Sequence, residues 1–271
     1  MQGFEARIGH GGGRTSGAGQ AASARGRRPP RACARGDNRA PDIARRCPET
    51  ILDLERLIDH ENPGIAVLRA WAGEPGANPS AFLPRDADLA RRTLSHLGVT
   101  TRSILGAVAF ETGGIVVADG LLRLWGSGPQ RSLLDANRAA SAAAGRALRD
   151  VLLVADDAFG GLFALDGGAF GERDAGGVFH LPADDTRWSS LEVGYSGFAA
   201  WCLTGDLDAL YGPSLPWMAT IRQPKPDIDR ILSVYPFPWT TEGRAGGGAV
   251  RTVAADESLR LRIELCGFET G

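Results

Sequence analysis

From Val99 onward the chain is written in short apolar runs separated by pairs of turn-forming residues, and this punctuation constrains the fold more than any other feature. Runs at Ile104 to Phe110, Ile115 to Ala118 and Leu121 to Trp125 are divided by Gly113-Gly114 and Asp119-Gly120. Asp-Gly between apolar runs is a strong hairpin signal, because a tight hairpin turn needs positive φ and these residues tolerate it. Val151 to Ala155 and Gly161 to Leu165 follow, then Val178 to Leu181 after the turn Asp166-Gly167-Gly168-Ala169-Phe170-Gly171, then Trp188 to Leu191. Strands this short, joined by turns this tight, pair with their neighbours in sequence and give an antiparallel meander.

Helices are expected at both ends of that meander. Ile51, Leu54, Leu57 and Ile58 fall on one helical face; Asn62 then reads as the N-cap of a second helix with Pro63 at its first position. Asp86 opens a third helix that stops at Gly98, so three short helices precede the first strand. After the meander, Tyr195 to Leu203 is apolar at helical spacing and Gly205 to Tyr211 continues that layer. A strand is expected around Ser233 to Phe237, and a short helix or strand from Asp256 to Leu265. The alanine-rich stretch near 129–149 reads as a variable, partly helical insertion. The class is α+β: an antiparallel meander with N-terminal helices and flanking helices on one side.

Residues 1–48 are expected to stand apart from this core. They carry ten arginines against Glu5, Asp37 and Asp42, and apart from Phe4, Ile8 and Ile43 almost no aliphatic or aromatic side chain. Such an Arg/Gly/Ala-rich leader cannot bury enough apolar area to offset its ordering entropy, so it is expected to be disordered. A start codon assigned too early, with a non-standard start near Ile51 or Leu52, is the simplest explanation of it. Residues 49–271 then form a single α+β domain.

Charge narrows the partners. The formal net charge of −2 combines +7 in residues 1–48 with −9 in the remainder. An acidic folded part argues against specific nucleic-acid binding, which needs clustered Lys and Arg to displace counterions from phosphates. Only the basic leader would bind nucleic acid, weakly and without sequence preference. Of the four cysteines, none forms a CxxC pair or metal-ligand spacing with a His, so zinc is not expected. Cys202, within Phe198-Ala199-Ala200-Trp201-Cys202-Leu203, reads as a buried core thiol. The chain has no apolar run of membrane-spanning length and no apolar secretory segment at its start, which makes the cytoplasm the expected location and excludes a membrane partner.

The polar residues at strand ends are the candidates for chemistry. Asp156 and Asp157 end an apolar run just before Gly160-Gly161. Paired carboxylates can hold a metal or share acid and base work, but neighbours on an extended chain point to opposite sides, and Asp also bonds its own turn backbone. Turn formation is the leading reading. Arg102 and Glu111 sit at the ends of expected strands, where their side chains would converge as an ion pair, structural or functional. The glycines of 167–171 lead into no helix and lack a Lys with Ser or Thr, so they serve a turn and not a phosphate. His60, His96 and His180 are scattered, with no nucleophile beside them in a strand-turn setting. Trp125, Trp201 and Trp239 stand in apolar contexts and read as core, whereas Trp188 and Trp217 flank turns and read as surface anchors for a partner.

Several of these segments also carry a resemblance. The run from Val151 through Asp156-Asp157-Ala-Phe-Gly-Gly to Gly171, with Thr100-Thr-Arg-Ser and Phe110-Glu-Thr-Gly-Gly-Ile before it and Tyr235-Pro-Phe-Pro-Trp-Thr240 after it, resembles an uncharacterised bacterial family. That family, domain of unknown function 2625, is matched from about Ile51 to Leu265 and implies no activity. The order of elements from Leu152 to Leu203 looks more loosely like the SUKH superfamily, whose α+β members include bacterial immunity proteins that bind and neutralise toxins.

The resemblance and the missing catalytic set lead to one expectation: a non-catalytic protein-binding module of immunity-like type, with a protein partner such as a toxin and no cofactor. The binding residues expected are Arg102, Glu111, Asp156, Asp157, Trp188 and Trp217, with no catalytic or metal-binding residue assigned. The alternative is a small metal-dependent or carboxylate-based hydrolase using Asp156, Asp157, Glu111 and His180.

Overall fold

In the computed structural model the chain divides into two units, Met1–Pro48 and Glu49–Gly271. The residues described are 54–171, 175–211, 226–245 and 248–268, all in the second unit. The leader expected over 1–48, and Trp217, lie outside them.

Short apolar runs became strands where tight turns separate them. The main sheet contains β1 (Ser80–Phe82), β2 (Gly114–Val117), β3 (Leu122–Trp125), β4 (Val151–Asp157), β5 (Leu162–Asp166), β6 (Gly177–Leu181) and β7 (Ser189–Gly194). Their order in space is their order in sequence, and every pair is antiparallel. The α+β class and the meander therefore hold. Between β2 and β3 the turn runs through Ala118, Asp119 and Gly120, all at positive φ, as its Asp-Gly pair requires. A separate two-stranded sheet joins β8 (Arg230–Tyr235) to β9 (Ala249–Ala254). The sequence pattern had suggested only the first of these, because β9, Ala-Val-Arg-Thr-Val-Ala, is half exposed and weakly apolar.

Nine helices surround these sheets among the described residues: α1 (Leu54–Leu57), α2 (Gly64–Ala72), α3 (Ala87–Leu97), α4 (Ile104–Glu111), α5 (Leu133–Ala143), α6 (Tyr195–Thr204), α7 (Asp208–Tyr211), α8 (Thr241–Arg244) and α9 (Ala255–Cys266). Helix α3 is bounded as expected. The Asp86 carboxylate accepts the Leu89 N–H, and Gly98 closes the helix in the left-handed conformation with φ 64°. The N-cap of α2 is Pro63 and not Asn62. Three helices do not precede the first strand, since three-residue β1 enters between α2 and α3 and is too short to show a period.

The largest correction concerns Ile104 to Phe110, expected as a strand and found as α4. This segment is buried on almost every side, so its sequence is apolar all round and carries no period by which helix and strand could be told apart. Ser103 caps it by accepting the Gly106 N–H at 3.0 Å.

The helices cover both faces of the sheet, where one side had been expected. On one face, Leu68 of α2, Ala107 and Val108 of α4, and Phe198 and Cys202 of α6 pack with Ile115, Leu124 and Phe163. On the other, Leu133, Ala136 and Ala140 of α5 and Leu259 and Ile263 of α9 pack with Trp125, Leu153 and Leu162. Strand alternation explains the division, since Leu162 and Ala164 point one way and Phe163 the other. The stretch read as an insertion near 129–149 thus supplies, through α5, part of the second core layer. The β8–β9 hairpin is tied to the turn after β4 by the Leu232 N–H, which donates to the Ala158 carbonyl at 2.7 Å.

Candidate functional site

Arg123 and Asp156 are register partners across β3 and β4, and both side chains are buried. Arg123 Nε donates to Asp156 Oδ1 at 2.9 Å, and Trp125 Nε1 donates to the same oxygen at 3.1 Å. Arg131 Nη2 lies 3.2 Å from Asp156 Oδ2, close enough for ionic attraction but not aligned as a hydrogen bond. Its guanidinium carbon lies 4.6 Å from the centre of the Trp125 ring, and its Nη1 reaches Asp256 at 3.0 Å. Burial pulls the Arg131 pKa below the ordinary arginine value, against the opposing pull of Asp156. Arg123 spends its remaining donors on backbone, bonding the carbonyls of Asp157 and Arg230. Both oxygens of Asp156 are therefore committed to two arginines and a tryptophan.

Asp157 has a different task, as alternation along a strand dictates. Its Oδ1 accepts the N–H groups of Phe159 and Gly161, each at 2.8 Å, and so holds the turn between β4 and β5. Gly160, at φ 86°, makes that turn possible. Burial pushes the Asp157 carboxyl above the usual range, while the two backbone N–H groups pull it down. Turn formation thus describes Asp157, and Asp156 is instead the centre of a buried ion cluster.

The other expected residues are not brought together. Arg102 is exposed, and Glu111 pairs with Arg85 at 3.6 Å and not with Arg102. The reason is the helical state of 104–111, which carries Glu111 to the far end of α4 from Arg102. Trp188, expected as a surface anchor, is only 1% exposed; its Nε1 donates to the Gly267 carbonyl at 2.9 Å, and Phe268 stacks on it. Its burial comes from the end of α9 folding over it, a contact across 79 residues that local sequence does not show. His180 is buried and stacked 4.4 Å from Phe163, with no partner for Nε2 among the described residues; burial, with a smaller contribution from Arg262, lowers its pKa to about 3. Cys202 is buried as expected, and burial raises its pKa. In the glycine-rich turn, Asp166 accepts the N–H groups of Gly168 and Phe170. Among the described residues no group of three or more His, Cys, Asp or Glu stands together as a metal site.

The feature that sequence did not reveal is a cavity of about 180 Å³ between the β8–β9 hairpin and α9. Phe159, Ile231, Val234, Phe237, Trp239 and Leu261 supply its apolar walls. Ser233, Ser258, Glu257 and Arg262 supply its polar side. Phe237 and Trp239 stack at 4.5 Å, Tyr235 meets Phe237 edge-on at 5.7 Å, and Tyr235 is 67% exposed. Arg262 lies beneath Trp239, its guanidinium carbon 4.6 Å from the ring centre. In α9 an arginine among Arg260, Glu264 and Glu257 resembles any solvated helix face, so no local signal marks it.

Elsewhere an open groove between α3 and α5 is lined by Arg91, Arg92, Arg138, Arg149 and His96, with no acidic side chain among the described residues on its walls. It runs against the acid excess of residues 49–271. No helix among the described residues is long and apolar enough to cross a membrane.

Comparison with known proteins finds a family and relatives of unassigned function. The model of a family described as protein of unknown function DUF2625 matches residues 54–256. The chain is 34% identical over 198 residues to the putative uncharacterized protein YbfG of Escherichia coli K12, covering 71% of this chain and 88% of that protein. An uncharacterized protein of Haemophilus influenzae is 37% identical over 161 residues, covering 58% of this chain and 70% of that one. Among solved structures, the crystal structure of Atu4351 from Agrobacterium tumefaciens matches with a TM-score of 0.43 at 14% identity, covering 71% of this chain and 86% of that one.

Proposed function

Since this chain belongs to the family described as protein of unknown function DUF2625, which names no reaction, we propose its function from the geometry: non-catalytic binding of a protein partner at the aromatic rim Tyr235, Phe237 and Trp239. The observation that carries the proposal is Tyr235, a large aromatic side chain 67% exposed beside a cavity walled by two more. Exposed Tyr and Trp next to a desolvated pocket are the side chains that dominate binding energy at interfaces. The acid excess of residues 49–271 favours a basic partner, approaching away from the arginine-lined groove between α3 and α5. An immunity role, with a toxin as partner and the cytoplasm as its place of action, is the finer form of this reading that the SUKH-like segment suggests.

Carboxylate catalysis has less support. Asp156 is held between Arg123 and Arg131, Asp157 is engaged in its turn, and Glu111 is bridged to Arg85. A general base needs a carboxylate with a free oxygen in reach of substrate.

The test is capture from the native host with the full chain as bait, beside a Tyr235→Ala/Trp239→Ala double variant whose fold is checked by circular dichroism. One stoichiometric protein partner, held by the wild type and lost by the variant, is the expected result. A partner retained by the variant, or none for either chain, would sink the proposal.

A further inference from the structure

We infer that the cavity beside α9 is a carboxylate site, with Arg262 as the residue that receives the anion. The inference rests on the binding role proposed above and names the chemistry of the same site. Arg262 is only 2% exposed, and its Nη2 donates to the carbonyls of Pro182 at 2.6 Å and Asp185 at 2.7 Å. Among the described residues its Nε and Nη1 have no acceptor, and no carboxylate pairs with it. A buried guanidinium with unsatisfied donors is costly, far more so than one with a counter-ion in place. Arg123 and Arg131 show how this fold otherwise treats a buried arginine: each is given a carboxylate.

The surroundings define the ligand further. Trp239 covers one face of the guanidinium, which leaves the edges of the plane for an acceptor. A space of about 150 Å³ holds a benzene-sized molecule, so the cavity admits one short aliphatic or aromatic body. Glu257 lines the same cavity, and its repulsion of an anion grows with the anion's charge, so the lowest charge is favoured. The geometry therefore selects a monoanionic carboxylate on a small apolar body and disfavours phosphate. Two sources carry that chemistry: a free organic acid, or the terminal carboxylate of a polypeptide.

The experiment is calorimetric titration of the full chain with 4-methylpentanoate and with its neutral amide. A parallel arm uses an acetylated tripeptide ending in leucine, with a free or an amidated terminus, and a further arm uses inorganic phosphate. A charge-assisted hydrogen bond predicts that each acid binds at least about tenfold more tightly than its amide, with phosphate weaker than either acid. Arg262→Gln should abolish the difference. Should that variant fail to fold, the acid and amide comparison on the wild type decides alone. Binding of the free acid only assigns the source to a small molecule, and binding of the peptide terminus assigns it to a polypeptide; both support the site. Acid and amide binding equally, neither binding at millimolar concentration, or phosphate binding best would overturn it. Loss of the captured partner in the Tyr235→Ala/Trp239→Ala variant, alongside equal acid and amide binding, would leave the binding role standing and remove only the carboxylate.

Discussion

Arg123 and Asp156 meet directly across the β3–β4 pair, Nε to Oδ1 at 2.9 Å, and Arg131 approaches the opposite oxygen of the same carboxylate. One buried anion thus answers two buried cations. Removing it strands Arg123 and leaves Arg131 with only the half-exposed Asp256, and breaking a buried ion pair from one side costs about 3–5 kcal/mol. Asp156→Ala is expected to lower stability by that order, a large share of what a domain has. Replacing the pair together, Arg123→Met with Asp156→Leu, should cost less than Asp156→Ala alone. Urea denaturation of the three chains checks this, and a double variant worse than the single one would contradict it.

His180 gives a second expectation, in pH. Burial lowers its pKa in the folded state to about 3 from the ordinary 6.5, so the unfolded chain takes up the proton first. The stability that depends on neutral His180 is whole above pH 6.5 and is lost as pH falls from there towards 3, with a limiting slope of about 1.4 kcal/mol per unit. His180→Phe retains a ring to stack on Phe163 and removes the titration. Melting temperatures of the two chains should therefore diverge below pH 6.5 in favour of the variant. Parallel curves would show that folding does not lower the His180 pKa.

Trp188 should behave as core. It is buried between Phe170 and Phe268 and closed by the Gly267 carbonyl, so Trp188→Ala is expected to cost about 3–5 kcal/mol. A surface anchor would cost almost nothing when truncated. The denaturation midpoint separates the two.

Cys202 is buried in the layer formed by α2, α4 and α6, and burial raises its pKa, which withholds the reactive thiolate. Peptide mapping after brief iodoacetamide treatment should find it unmodified in the native protein and modified in denaturant. Rapid native labelling would mean that α6 opens readily.

How far the sequence carried depended on whether its signals were local. Asp86 with Gly98, and Asp119 with Gly120, act within a few residues, and the elements they bound were found as read. The meander from Val151 to Leu191 was legible because each strand pairs with the next. Helix α4 was not, since a segment buried on every side has no polar face to set a period. At the site, turn chemistry identified Asp157, but Arg123, Arg131 and Arg262 gave no sign of burial. Each is buried by segments that arrive from far along the chain, as the Arg262 bond to Pro182 across 80 residues illustrates.

The meander also bears on time. From β4 to β7 each strand pairs with the next across a short loop, which loses little chain entropy and forms quickly. The hydrogen bond from Arg123 to the Arg230 carbonyl spans 107 residues, so the ion cluster is completed only when the C-terminal hairpin docks. The same hairpin and helix wall the cavity at Arg262. Ligand binding there would fasten the last segment to arrive, and slow its departure more than it hastens the assembly of the sheet.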